Sequence, residues 1–271
     1  MSNPFLDLVN SGFISHGAMQ FYVVAMFLFV VGGTLLDVMH KKSAQYFFEN
    51  AEKAKKSATR TISSTEKTAL IVKTVTTEVL QSAEFSNPQR RMSHLLTMYG
   101  FIIFVVTTVI MIFSLTDSGI IALLWNLGAL SLAVGGYWFW FVIRADVSAE
   151  GNPWYKVHRA DMFIVSLLAM STFALFWSIT GAMLFFFLFI AASTFLFTTV
   201  LWSKFAHMFF KPAAAFQKRV TRADGSRENL PNDFDLSSAE VHSRFPDIPE
   251  YMGKNPENMG LGIKREEPHH Y

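Results

Sequence analysis

The chain has 271 residues, 51% of them hydrophobic, with 28 Phe and no cysteine. That is too apolar for an ordinary soluble domain, and the missing cysteine excludes disulfides, cysteine-held iron–sulfur clusters and thiolate zinc sites within this chain. The formal charge of +2 hides a strong asymmetry along the chain: the basic residues bracket long apolar runs, which argues against nucleic-acid binding.

In chain order, residues 1–17 (MSNPFLDLVNSGFISHG) form a short outer segment. Its Phe5, Leu6, Leu8, Val9, Phe13 and Ile14 are expected to lie on the membrane surface as a bent amphipathic piece, with His16 at the end. Asp7 stands where a signal peptide would carry a basic region, so no cleavable signal is expected. Five spans follow, at 18–39, 94–115, 119–143, about 160–181 and about 183–210. Each is long enough to cross the roughly 30 Å hydrocarbon layer at about 1.5 Å per residue. The fold class expected is all-α: an integral membrane five-helix bundle, 18–210, with a cytoplasmic helical loop at 40–93 and an extended cytoplasmic tail at 211–271.

Lysine and arginine set the orientation. Ten lie in residues 40–93, three in 144–159 and ten in 204–271, with none before residue 40 and none at the turns 116–119 and near Gly181. Five spans place those three regions on one side, which the positive-inside rule makes the cytoplasm. The expected location is the inner membrane, with the amino terminus outside and the carboxyl terminus cytoplasmic. The aromatic run Tyr137–Phe141, with Trp154 and Trp202, reads as an interfacial belt. Gly32, Gly33, Gly128, Gly135, Gly136 and the Ala191–Ser193 run read as points of close helix approach.

Within the 40–93 loop, span one is expected to continue as a helix. Ser63 to Glu66 then resembles a capping box ahead of a second helix, with Leu70, Ile71, Val75, Val79 and Leu80 on one face. That face either lies on lipid headgroups or the bundle, or docks another subunit. Pro212 is expected to end the fifth helix. The tail beyond it is polar, with scattered anchors such as Phe245 and Tyr251 and no periodicity. It is either disordered or stretched across a partner.

Eight histidines are present. His242, His269 and His270 lie in the tail and His16 alone on the outer side. His40, His94, His158 and His207 all map to the cytoplasmic end of the bundle. Ionisable groups at membrane depth point to function, and paired imidazoles suit bis-histidine ligation of a b-type haem. His94 and His207 are the first pair for haem iron. His40, His158, Arg159 and Lys204 are candidates for a quinone carbonyl or a haem propionate. The bland alternative is four interfacial histidines that only contact headgroups and helix ends. Asp37 and Asp161 each stand three residues from a histidine. They either relay protons to quinone or make ordinary interfacial pairs with Lys41, Lys42 or Arg159. His16 has no histidine partner in the outer half of the spans, so a second haem there is not expected, and neither is an ion pathway.

The five spans, the histidine opening span two and the WSKFAHMFFKPAAAF element closing span five resemble the membrane cytochrome b domain of QmoC-type and nitrate-reductase gamma-type subunits. The small size, the absent iron–sulfur domain and the opening NPFLDLVNSGFISHGAMQFY look more like the AprM family of membrane proteins associated with adenylylsulfate (APS) reductase. The resemblance is best over residues 90–215. It implies a membrane anchor in dissimilatory sulfur oxidation that binds the APS reductase alpha and beta subunits on the cytoplasmic face. Their electrons would pass to a quinone, through one haem b if it is bound. The diheme relatives carry two ligand histidines on each of spans two and five. Only His94 and His207 stand in equivalent-looking places here, which leaves a cofactor-free anchor open. With no flavin fingerprint and no cysteine, the chain is expected to do no sulfite chemistry itself. A small transporter or assembly factor is the remaining alternative.

Overall fold

A computed structural model describes residues 2–40, 43–83, 85, 87–144, 155–200, 207–227 and 238–244, without the side chains of residues 43–46, 160, 207–209 and 242. Its described residues are helical throughout apart from turns and connections. Helix α1 (Pro4–Asn10) is followed by α2 (His16–His40), α3 (Ser43–Ser57) and α4 (Ser64–Thr74). A π-helical turn, Val75–Leu80, extends α4. Next come α5 (Pro88–Phe113) and α6 (Gly119–Trp138), the latter continued by a second π turn, Phe139–Ile143. A 3₁₀ turn (Arg159–Asp161) leads into α7 (Met162–Thr180), then α8 (Met183–Thr198), α9 (His207–Ala223) and the short α10 (Ala239–Arg244).

Four helical runs are long and apolar enough to cross a membrane: α2, α5, α6 with its π turn, and α7. The chain is a multi-pass membrane helical bundle. Local chemistry accounts for the ends of these runs. Asn87 accepts from the backbone N–H groups of Gln89 and Arg90, with Pro88 in the first turn of α5. Gly181 ends α7 in the left-handed conformation, φ 66°, its N–H returning to Trp177 O.

Helices α5 and α6 pack along each other, α6 packs on α7 and α7 on α8, while α2 closes the ring against α8 and α5. Glycine permits the closest approach. A Cβ on Gly100 would lie 2.5 Å from Leu132 N, and one on Gly128 would lie 2.7 Å from Phe104 N, so these backbones touch directly. Gly33 and Gly135 are similarly confined, but Gly32 has nothing near it. The small-residue reading therefore holds at Gly33, Gly128, Gly135 and Gly136 and fails at Gly32, and it passed over Gly100.

His16 Nε2 bonds Ile112 O at 2.7 Å, so α2 starts where α5 finishes. Ser93 Oγ donates to Gly135 O at 2.8 Å, which sets the start of α5 beside the last turns of α6. The bundle thus has a basic end, with His40, His94, Arg144 and Arg159, and a turn end, with Gly12, Leu115–Ser118 and Gly181.

The outer segment does not lie on the surface as expected. Phe5 is 2% exposed and Leu8 is buried with it. Phe5 sits edge-on between Trp125 and Trp177, at 5.9 and 5.2 Å. Asn3 Nδ2 donates to Met111 O and Thr116 O, while Asn3 Oδ1 caps α1. Met111 O belongs to the last turn of α5, where helix acceptors are left over, and Thr116 O to the connection that follows it. Burying the aromatic ring and satisfying those acceptors outweighs spreading a short helix on lipid.

The fifth span also differs from its expected 183–210. Helix α8 stops at Thr198, where Thr198, Thr199 and Val200 make a run of β-branched residues. The two hydroxyls bond back to Thr194 O and Phe195 O, which competes with helix continuation. Pro212 does not end the helix. It lies inside α9, where the loss of one backbone hydrogen bond is tolerated beside the helix-favouring Ala213–Ala215 run.

Candidate functional site at the basic end

The site is built outward from His94, in the second turn of α5. Its Nδ1 lies 3.0 Å from Ser82 Oγ. Ser82 is fully buried and holds φ 48°, a left-handed conformation unusual for serine. The Phe85 ring covers the imidazole at 4.9 Å between centroids. Two more α5 side chains hold the same segment: Arg91 Nε donates to Gln81 O at 2.8 Å, and Tyr99 Oη donates to Leu80 O at 2.8 Å. These carbonyls follow a π-helical turn, so they lack the usual helical partners.

Helix α9 reaches the same place. Lys211 Nζ stands 5.5 Å above the Phe85 ring, and Lys211 lies one helical turn past His207. His207 opens α9, but its side chain, like Lys204, falls outside the described residues. Phe85 is thus the ring that both α9, through Lys211, and His94 contact.

His40 and His158 stand apart from this cluster in character. His40 is exposed at the end of α2, whereas Asp37, one turn earlier, is buried. His158 and Arg159 are both exposed. Asp161 accepts the His158 backbone N–H at 2.8 Å. Its carboxylate is gripped by Arg144, through Nε at 3.1 Å and through Nη2. The expected interfacial pairing of Asp161 is therefore present, but its cation is Arg144, not Arg159. Arg144 is 5% exposed and stacks over Trp140 at 4.1 Å. Its Nη2 also donates to Lys156 O, and Nη1 has no hydrogen-bond partner among the described residues. Sequence reading missed this residue because it looked like one more basic flank; its place just past an aromatic run, with Asp161 opening the next helix, was the available signal.

A helical layer stands over this end. Helix α9 runs antiparallel to α4: Thr59 and Arg60 N–H groups bond Asp224 O beyond the end of α9, and Arg219 pairs with Glu78. Ser63 caps α4 by accepting the Glu66 N–H, as expected. The Glu66 carboxylate turns to Arg60, whose hydrogen bond holds it below the ordinary carboxyl range. The tail contains α10, with Val241 buried; the anchors Phe245 to Leu261 and the terminal histidines lie outside the described residues.

The turn end is filled differently. Trp125 is stacked on Phe104 at 5.1 Å and Trp177 on Phe189 at 6.1 Å, around Phe5. Among the described residues, no three His, Asp or Glu side chains gather closely enough to hold a metal ion. That test does not address a haem, which needs only two imidazoles. The described half of the proposed pair is compatible with such a ligand: the Ser82 hydroxyl at Nδ1 holds the ring in one orientation, and where it accepts from Nδ1–H the unprotonated nitrogen is Nε2. Comparison with known proteins finds no matching family model, no matching curated protein and no matching solved structure.

Proposed function

We propose that this chain is a membrane anchor and quinone-linked electron-transfer subunit for a cytoplasmic APS reductase in sulfur oxidation. In this reading α8 completes a fifth crossing with the residues after it, and the basic end faces the cytoplasm of an inner-membrane protein. The observation that supports it most is the seating of His94, oriented by Ser82 and walled by Phe85, with the start of α9 brought alongside. His94 and His207 would hold one haem b, which supplies one-electron transfer when bound. His40, His158 and Arg159 stand exposed where a quinone carbonyl or a propionate would be met, and Lys204, outside the described residues, is the fourth candidate. Ser82 keeps the His94 ring in one orientation, and Phe85 excludes water from its face. The basic α3, α4 and α9 would steer an acidic soluble partner, and the tail from residue 221 would hold it.

Reduced-minus-oxidised spectra of the purified protein test the haem, with a b-type signal expected in the parent and lost in His94→Ala. Retention of APS reductase in mild detergent tests the partner, and a chain lacking residues 221–271 is expected to insert normally but retain less of it. A parent without the haem signal removes the relay and leaves the anchor. A parent that retains no APS reductase removes this partner. One observation favours a second reading, an anchor without cofactor: Phe85 packs on the His94 ring in space that a porphyrin would compete for.

A further inference from the structure

The α4 helix and its π turn leave an apolar stripe uncovered. Ile71, Val72, Val75 and Leu80 are 48, 56, 43 and 47% exposed. Thr68, Ile71, Val72 and Val75 follow the i, i+3, i+4, i+7 spacing of one helical face. No charge interrupts that face. Lys67 and Lys73 lie to its sides, Glu66 lies across the helix from it, and Glu78 is turned to Arg219 on α9. Buried Thr74 marks the opposite side, toward α9.

The depth of this stripe can be read from hydrogen bonds. Leu80 O, Gln81 O and Ser82 Oγ are held by Tyr99, Arg91 and His94, which bracket Ser93 on α5. Ser93 is level with Gly135 of α6 through its own hydrogen bond. The aromatic run Tyr137–Phe141 begins two residues beyond Gly135, toward the basic end. At about 1.5 Å per residue it stands roughly 3–9 Å farther out. Such aromatic runs mark the headgroup level, so the end of the α4 limb lies on the hydrocarbon side of that mark. Backbone that leaves a helix at this depth needs every carbonyl satisfied within the protein, and the α5 side chains provide for Leu80 and Gln81.

We propose that α4 and its π turn are a membrane-seated limb, with the stripe of Thr68, Ile71, Val72, Val75 and Leu80 covered by lipid at the boundary of headgroups and acyl chains. Exposed Lys67 and Lys73 flank the stripe and reach the phosphates. The seating holds whether or not His94 carries a haem. It differs from a cytoplasmic helix whose apolar face waits for another protein.

The chain has no cysteine, so single-cysteine variants carry one nitroxide each. Val72→Cys, Val75→Cys and Leu80→Cys would be spin-labelled in the full chain reconstituted alone in phosphatidylcholine–phosphatidylglycerol liposomes. Lys53→Cys on α3 serves as the aqueous reference and Ile103→Cys on α5 as the lipid reference. The expected result is oxygen accessibility well above that to a nickel chelate at the three positions, close to Ile103→Cys. The unmodified chain in the same liposomes is expected to incorporate a photoactivated hydrocarbon reagent within residues 68–80. Chelate accessibility at Val75→Cys and Leu80→Cys equal to that of Lys53→Cys overturns the proposal. So does protection that appears only after a soluble partner is added, which would make the stripe a protein dock. An unlabelled 68–80 segment in the parent chain overturns it without any variant.

Discussion

At the turn end, Phe5 is wedged between Trp125 and Trp177, so aromatic rings fill the space between helices, and Asn3 ties one carbonyl of α5 and one of the connection after it. At the basic end, His94 is held by a serine in a left-handed conformation, Arg144 is held by Asp161 from the next helix, and a layer of amphipathic helices stands above. The turn end is held chiefly by aromatic packing, with Asn3 and His16 tying helix ends; the basic end depends on a few directed hydrogen bonds and ion pairs. The difference teaches where each kind of chemistry can reside. A rigid aromatic core gives van der Waals contact in all directions. A ligand or partner surface needs polar groups held in one orientation, and among the described residues the ion pairs and the oriented His94 stand at the basic end.

The sharpest way to break the contrast is to hollow the turn end. Trp125→Ala removes a fully buried indole with four ring neighbours and its bond to Thr108. A loss of about 3–5 kcal/mol is expected from a large-to-small core change. Thermal unfolding in detergent should show it, while any cofactor spectrum of the surviving folded protein stays unchanged. A spectrum lost along with the turn end would mean that the two ends are not separable.

Next comes Arg144→Ala, which strands the partly buried Asp161 carboxylate. Breaking such a pair costs about 3 kcal/mol when it is well buried, and the 16% exposure of the Asp161 side chain places the expectation somewhat below that. The companion double variant, Arg144→Met with Asp161→Leu, is expected to recover most of the loss, as apolar replacements of buried pairs do. A double variant as unstable as the single would show that Arg144 is needed for something besides Asp161.

Asn3→Ala is expected to cost about 1–3 kcal/mol, because it leaves the Met111 and Thr116 carbonyls without the amide donor. It should also speed proteolysis of residues 1–17. The smallest effect is expected from the exposed Arg60–Glu66 pair. Glu66 has its carboxyl pKa lowered in the folded chain, so what the pair contributes is present above the unfolded carboxyl pKa and is lost as pH falls through the folded one. Glu66→Gln should remove that acid dependence and leave stability at neutral pH nearly unchanged.

The spans at α2, α5, α6 and α7 were legible in the sequence because length and unbroken apolarity are one-dimensional properties. The Ser63 cap and the Gly181 stop were legible for the same reason, since both act over a few residues. The basic-end grouping of His40, His94 and His158 followed from span parity alone. Burial separated them, leaving His40 and His158 exposed and His94 partly buried against Ser82 and Phe85.

What only the tertiary structure decided was which neighbour each polar group would find. The sequence placed Ser82 in a loop, Arg144 in a basic flank and Asn3 in an outer segment. Each is buried because another helix or its connection offers an imidazole, a carboxylate or carbonyl acceptors at the right height. Hydropathy and charge act along the chain and fix which segments enter the membrane. Hydrogen bonds act across it at about 3 Å, and partners 12 to 113 residues away in sequence are set only once the helices have packed.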